Sequence, residues 1–249
     1  MTADRPTVSL DDAPLLQARN SAAFWAATGT ARGDRVVRAR GYLAVVGGAR
    51  NGTRVLIQEP DLDAAEIAEI TALVRQAAGP VDLEDPYSAT DLGLLGLRDW
   101  QMPVMLREPG PAPAPALDVV RALDEADLVA AERIVIDSFG LTRFQPPRPG
   151  DLFPPGLVER GDAAVHLALV DAQPAGACVS LLADGVGSHY WVGTTEAFRS
   201  RGVGRAVMLA SIQQLRDHRL TLTASRLGRP LYESLGYAVA GMSTWYSST

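Results

Sequence analysis

The segment Pro109-Gly-Pro-Ala-Pro-Ala-Pro-Ala116 limits the fold more than any other part of the chain. Proline has no amide proton for a helix or a sheet, and alternate prolines hold the backbone stiff and extended. No element runs through such a stretch. It divides the 249 residues into two parts of similar length. Residues 1–108 are therefore expected to form one domain, 109–116 a linker and 117–249 a second domain.

Both parts alternate strand-like and helix-like segments. In the first, Ala13–Thr28 reads as a helix. Arg38–Val46 and Thr53–Gln58 read as strands joined through Asn51-Gly52, the strongest short hairpin signal. Asp61–Ala77 follows as an amphipathic helix, with Ile67, Ile70, Leu73, Val74 and Ala77 three and four apart. Val81–Leu83 and Val104–Leu106 read as strands around a helix at Asp91–Arg98.

In the second part, Leu117–Ala122, Ala164–Val170, Ala175–Leu182, Ser188–Gly193 and Leu220–Ala224 read as strands. Asp124–Phe139, Gly202–His218 and Pro230–Leu235 read as helices, and Tyr237–Tyr246 as a final strand or hairpin. The Pro-rich run Phe144–Pro155 is long enough for a lid or a substrate-site loop. Residues 38–106 and 175–246 share the order strand, strand, helix, strand, helix, strand, a hint of duplication without shared sequence. The fold class is α/β (α+β), a mixed central sheet flanked by helices.

Charge narrows the function. All 23 basic residues are arginine, and the net charge is −6. Residues 190–249 hold seven arginines and three acids, a local +4, and residues 1–189 carry −10. A basic C-terminal quarter on an acidic body points to a local anion site, not to a nucleic-acid surface. The −10 over residues 1–189 mildly favours a cationic acceptor. A single cysteine, Cys178, excludes a disulfide framework and a Cys-based zinc cluster. His166 and His218 have no ligand partners at metal spacing, so no metal is expected. With no signal peptide and no 18-residue apolar run, a cytoplasmic protein without a membrane span is expected.

The segment that carries chemistry is Tyr190–Met208. A strand leads into Arg199-x-x-Gly-x-Gly204, and the glycines open a helix. Glycine allows close approach of a phosphate, and the first N–H groups of a helix have no partner within it. Arg199, Arg201 and Arg205 add charge-assisted hydrogen bonds. A dinucleotide fold fits poorly: Val207 stands where the third small residue belongs, and Leu222 or Thr223 where an acid would bind ribose. A lysine-based phosphate loop is excluded by the absence of lysine.

A second motif follows, Leu222-x-Ala-Ser-x-x-Gly-x-x-Leu-Tyr-Glu-x-Leu-Gly-Tyr237. The two together, at this spacing, resemble the GNAT superfamily of acyl-CoA-dependent N-acetyltransferases over roughly 117–249. Residues 1–108 resemble more loosely the degenerate first copy of tandem GNAT proteins. The resemblance implies that Arg199, Ser200, Arg201, Gly202, Val203, Gly204 and Arg205 hold the CoA pyrophosphate. It implies that Val192, Gly193 and Thr194 pair with the pantetheine arm and polarise the thioester. Ser225, where many relatives carry asparagine, is counted among the acyl-CoA contacts. Tyr232 falls on the tyrosine that protonates the departing thiolate and also lies at the acyl-CoA site. A phenol of pKa about 10 is a competent acid for a thiolate of about 8.5.

The implied activity is transfer of an acetyl group from acetyl-CoA to a primary amine by direct attack, with acetyl-CoA as co-substrate. A non-catalytic acyl-CoA sensor or interaction protein is the alternative. Cys178, among apolar residues on a strand, reads as a buried structural thiol. For the general base, His189 is a relay candidate on a strand face shared with Trp191, with Tyr190 and Val192 opposite. Asp184 reads as a turn residue and Glu196 as a loop residue. The acceptor groove is expected between the halves, near Phe144–Pro155.

Overall fold

The computed structural model describes residues 12–248. Eleven strands form one sheet: β1 (Arg35–Arg38), β2 (Tyr42–Val46), β3 (Thr53–Ile57), β4 (Val81–Asp85), β5 (Arg98–Arg107), β6 (Val119–Arg121), β7 (Ala163–Val170), β8 (Gln173–Ala183), β9 (Val186–Thr194), β10 (Arg219–Thr223) and β11 (Ala238–Ser247). The helices are α1 (Ala13–Arg32), α2 (Ala64–Arg75), α3 (Glu125–Phe139), α4 (Pro155–Val158), α5 (Val203–Gln214) and α6 (Arg229–Ser234). The architecture is the expected mixed α/β sheet flanked by helices.

Across the sheet the order is β1-β2-β3-β4-β11-β5-β10-β9-β8-β7-β6. β2 and β3 form an antiparallel hairpin, and β4 returns parallel to β3 after α2. β8, β9, α5 and β10 repeat that pattern. The antiparallel neighbour of each returning strand then comes from the other half: β11 pairs with β4, and β5 pairs with β10. β5 and β11 pair along nearly their whole length, from Ala238↔Leu106 to Ser247↔Arg98. Thus the proline spacer divides the chain but not the sheet. Each half leaves a strand slot that the other fills.

Alternation along the strands makes two apolar layers. On one face α1 spans both halves. Phe24 and Ala27 pack with Val165, Leu167 and Val179, whereas Ala22 and Ala26 pack with Leu43, Val45 and Leu56. α3 joins the first group through Ile134 and Val135. On the opposite face α2 covers Tyr42, Val55 and Leu83 through Ile70, and α5 covers Ala168, Ala175 and Cys178 through Val203 and Val207.

Local signals explain the helix ends. Asp63 and Glu66 make a reciprocal capping box at α2, and the Asp124 side chain accepts from Asp127 N–H at α3. Three sequence expectations change. The run 38–46 is not one strand: it breaks at Arg40-Gly41, giving the hairpin β1–β2. The helix expected at Asp91–Arg98 is only a single 3₁₀ turn, Gly93–Leu95, since Gly93 and Gly96 weaken a helix. β5 runs for ten residues instead of three, because β11 pairs with it from Arg98 to Leu106.

The Phe144–Pro155 loop is pinned. Arg50, in the β2–β3 turn, donates to both carboxylate oxygens of Asp151 and to the carbonyls of Arg143, Phe144 and Pro146. From below, the buried Glu132 carboxylate accepts from Gly150, Leu152 and Phe153 N–H groups. The loop is a fixed wall between the halves, not a free lid. Glu132→Ala orphans three donors, two of them buried, each buried one costing about 1–3 kcal/mol. It should lower unfolding free energy in urea by at least about 2 kcal/mol, and a loss below about 1 kcal/mol would show that the loop does not depend on it.

Candidate active site

β9 and β10 are parallel neighbours only from Val186↔Arg219 to Ser188↔Thr221. Beyond Ser188 the strands part. β9 continues to Thr194 on β8, and β10 continues to Thr223 on β5. The parted ends leave the β10-facing backbone of 190–194 without a strand partner, a place where an extended ligand can add itself.

Next to that mouth β9 carries a bulge. Ala177 pairs with Gly193 and Val179 with Tyr190, so Trp191 and Val192 together face Cys178. Trp191 takes φ +56°, a left-handed value costing about 1–3 kcal/mol for a bulky residue. The bulge corrects the expected alternation. Tyr190 and Trp191 both point toward α1 and α3: Tyr190 stacks on Phe24 at 3.9 Å, and Trp191 meets Trp25 and Phe139 edge-on. His189 and Val192 share the α5 face.

The Arg199–Arg205 loop closes the mouth. Ser200 and Gly202 have φ of +61° and +80°, and Gly202 caps α5 with no side-chain hydrogen bond. The first turn of α5 holds no acid. Among the described residues nothing accepts from the N–H groups of Val203, Gly204 and Arg205. Four conditions for an anion site therefore coincide: free donors, a positive helix end, glycine and nearby arginine. The equivalent end of α2 is closed by Asp63 and Glu66. A Cβ on Gly204 would stand 3.5 Å from Thr194 Oγ1, which joins the strand end to the loop. Arg201 lies over the Phe198 ring and 4.0 Å from Asp171. Arg205 donates to Ser234 Oγ on α6. Arg199 is exposed.

α6 brings the second motif alongside. Tyr232 is buried in one cluster with Leu222, Tyr237 and Val192. Its hydroxyl has no hydrogen-bond partner among the described residues, and burial pushes its pKa well above the ordinary 10. Ser225 lies at the end of β10, where its Oγ accepts from Gly228 N–H and starts the turn into α6. The structure thus brings Val192, Gly193, Thr194, the 199–205 loop, Ser225 and Tyr232 around one opening.

Other candidates are placed plainly. Cys178 is fully buried, its thiol pushed up to about 12 by desolvation, with Sγ on the Val207 carbonyl. His189 is buried with Nδ1 2.8 Å from Ser211 Oγ, and desolvation pulls its pKa down to about 3. Asp184 sits in the exposed β8–β9 turn and Glu196 in an exposed 3₁₀ turn. Among the described residues no group of His, Cys, Asp and Glu could hold a metal, and no helix is long and apolar enough to cross a membrane.

Residues 112–232 match a family model described as "Acetyltransferase (GNAT) domain". Residues 112–232 are a GNAT acetyltransferase domain. The family transfers acyl groups from acyl-CoA, which supports acyltransferase activity for this domain. Solved structures share the fold over nearly its full length. A GCN5-related N-acetyltransferase from Kribbella flavida is 21% identical with a TM-score of 0.61, covering 91% of this chain and 94% of its own. A putative GNAT acetyltransferase from Novosphingobium aromaticivorans is 18% identical with a TM-score of 0.59, covering 93% and 97%. A tandem GNAT protein from the clavulanic acid biosynthesis pathway is 15% identical with a TM-score of 0.54, covering 86% and 81%. No curated protein matches the chain.

Sequence reasoning missed Trp191's bulge and the wall residues Arg54 and Arg143. A usable signal existed for Arg54, the one charge in the otherwise buried strand Thr53–Ile57.

Proposed function

We propose that the chain transfers an acetyl group from acetyl-CoA to a primary amine of a small molecule or peptide by direct attack. The observation that carries this is the open mouth between β9 and β10 with the unpartnered N-terminus of α5 at its edge. The pyrophosphate lies on the N–H groups of 203–205, with Arg199, Arg201 and Arg205 around it. The pantetheine arm runs along Val192–Thr194 as an added strand, and backbone N–H groups there polarise the thioester carbonyl. The amine nitrogen bonds to the carbonyl carbon and gives up its extra proton to solvent, the C–S bond breaks, and the Tyr232 hydroxyl gives its proton to the thiolate and regains one from solvent. Burial raises its pKa, so the phenol is protonated at neutral pH and its proton moves only as negative charge builds on sulfur during C–S cleavage.

The inert Cys178 supports attack without an acyl-enzyme. His189 is too weak a base to take a proton from an alkylammonium, so the amine loses its proton to solvent in the mouth. On the same reading 1–108 is a degenerate GNAT-like domain, 109–116 a linker and 117–249 the catalytic domain, in a cytoplasmic enzyme. The shared order of β2-β3-α2-β4 and β8-β9-α5-β10 supports the duplication.

Thiol release from acetyl-CoA over an amine panel tests the activity. Tyr232→Phe should lower kcat by about 10- to 100-fold with KM for acetyl-CoA unchanged. Equal kcat in the two proteins would remove Tyr232 from the mechanism. Acetyl-CoA binding without turnover of any amine would instead favour a sensor.

A further inference from the structure

A small pocket of about 20 Å³ lies between the two halves, beside the bulge. Trp25, Arg54 and Asp82 line it from the first half, and Arg143, Phe144 and Trp191 from the second. Trp191 belongs to the parted stretch of β9, so the pocket adjoins the mouth from the α1 face, opposite α5.

The charges in it do not balance. Asp82 is its one carboxylate, and two guanidinium groups share one oxygen of it: Arg54 Nη2 at 3.0 Å and Arg143 Nη2 at 3.5 Å. The other oxygen accepts from Ser247 Oγ. Arg54 Nη1 and Arg143 Nε are buried donors without a partner. The Arg54 side chain is only 11% exposed and lies 3.9 Å over the Trp25 ring. The third arginine at the wall, Arg32, is paired with Asp34 at 2.8 Å. A buried cation with unmet donors is destabilising unless an anion completes it. Burial also lowers the Arg54 pKa, although Asp82 and Glu84 act to raise it.

Resting on the acetyl-transfer reading, we infer that the acceptor is an amino-carboxylate whose carboxylate enters this pocket between Arg54 and Arg143. The space admits a group little larger than a water molecule, so only the anionic end is buried. Planar guanidinium groups suit a carboxylate because they offer paired donors. Trp25 and Trp191 flank the space, and the rest of the acceptor passes Trp191 to reach the thioester. Local charge here is the reverse of what the −10 over residues 1–189 suggests.

The test is a matched panel of α-, β- and γ-amino acids, their methyl esters and their primary amides, with thiol release from acetyl-CoA. At least one free amino acid should exceed its ester and amide by about tenfold or more in kcat/KM, as expected when a site built for a polar group meets an analogue lacking it. Arg143→Gln, at the more exposed of the two arginines, should raise KM for that amino acid about tenfold or more and leave KM for acetyl-CoA and for the ester unchanged. Turnover of esters or amides as fast as the free acids overturns the inference and leaves acetyl transfer standing. An Arg143→Gln effect equal on acid and ester also overturns it. Failure of acetyl-CoA to bind at all would bring down the function on which it rests.

Discussion

Gly204→Glu is expected to weaken acetyl-CoA binding by at least about a hundredfold while the fold stands. The space permits the side chain: its Cβ would meet Leu231 Cδ2 and Thr194 Oγ1 at 3.5 Å, ordinary contact distances. The position is helical, in the first turn of α5, where glutamate is a better helix former than glycine and its charge suits the positive pole. Stability should therefore hold or rise slightly. Binding should collapse for the same electrostatic reason. The new carboxylate occupies the N–H groups meant for phosphate and repels it. Charge-assisted hydrogen bonds contribute about 1.5–3 kcal/mol each, so losing two is worth a hundredfold or more. KM for the amine should scarcely move, because the acceptor side of the mouth is untouched.

Acid should unfold the protein through two buried histidines. Desolvation pulls His166 down to about 4 and His189 to about 3. Both lie below the unfolded value of about 6.5. As pH falls through 6.5 the unfolded chain takes protons that the folded one refuses. Stability is then lost until pH approaches the folded values, where the loss levels off. At pH 5 each histidine should cost about 2 kcal/mol, so the pair should cost about 4. That is a large share of an ordinary domain's 5–15 kcal/mol. Buried carboxylates such as Glu84 and Glu132, whose pKa values desolvation raises, work in the opposite direction.

Substitution separates the two effects. His166 uses Nε2 toward Ser180 Oγ and His189 uses Nδ1 toward Ser211 Oγ, so glutamine and asparagine respectively mimic the atoms in use. Urea titrations at pH 7 and pH 5 should show the difference shrink by about 2 kcal/mol for each of His166→Gln and His189→Asn. An undiminished difference in both variants would assign the acid sensitivity elsewhere.

What the sequence made legible was local. The glycines at 202 and 204 announce an open helix start, and the acids at 61–66 announce a closed one; both hold in space. Tyr232, Ser225 and the 199–205 loop lie near one another because their motifs belong to one supersecondary unit, where spacing along the chain translates directly into geometry. Legibility ends where the partner is distant. Nothing near β5 says that its neighbour is β11 of the other half, so its length was underestimated and a helix was placed before it. Nothing around Trp191 marks a bulge, because the extra residue is defined only against Cys178 across the β8–β9 pair. Arg50 reads as a turn residue, yet it anchors a loop about a hundred positions away. Net charge has the same limit: −10 averaged over 189 residues says nothing about three arginines gathered around one pocket.

The central claim is that α5's free N-terminus and the parted strands hold acetyl-CoA. Isothermal titration of acetyl-CoA into the wild-type protein and into Gly204→Glu, at one ionic strength, tests it most directly. One-to-one binding to the wild type, weakened at least about a hundredfold in the variant at unchanged Tm, is the expected result. Absence of heat with the wild type, or equal affinity in the two proteins, would contradict it.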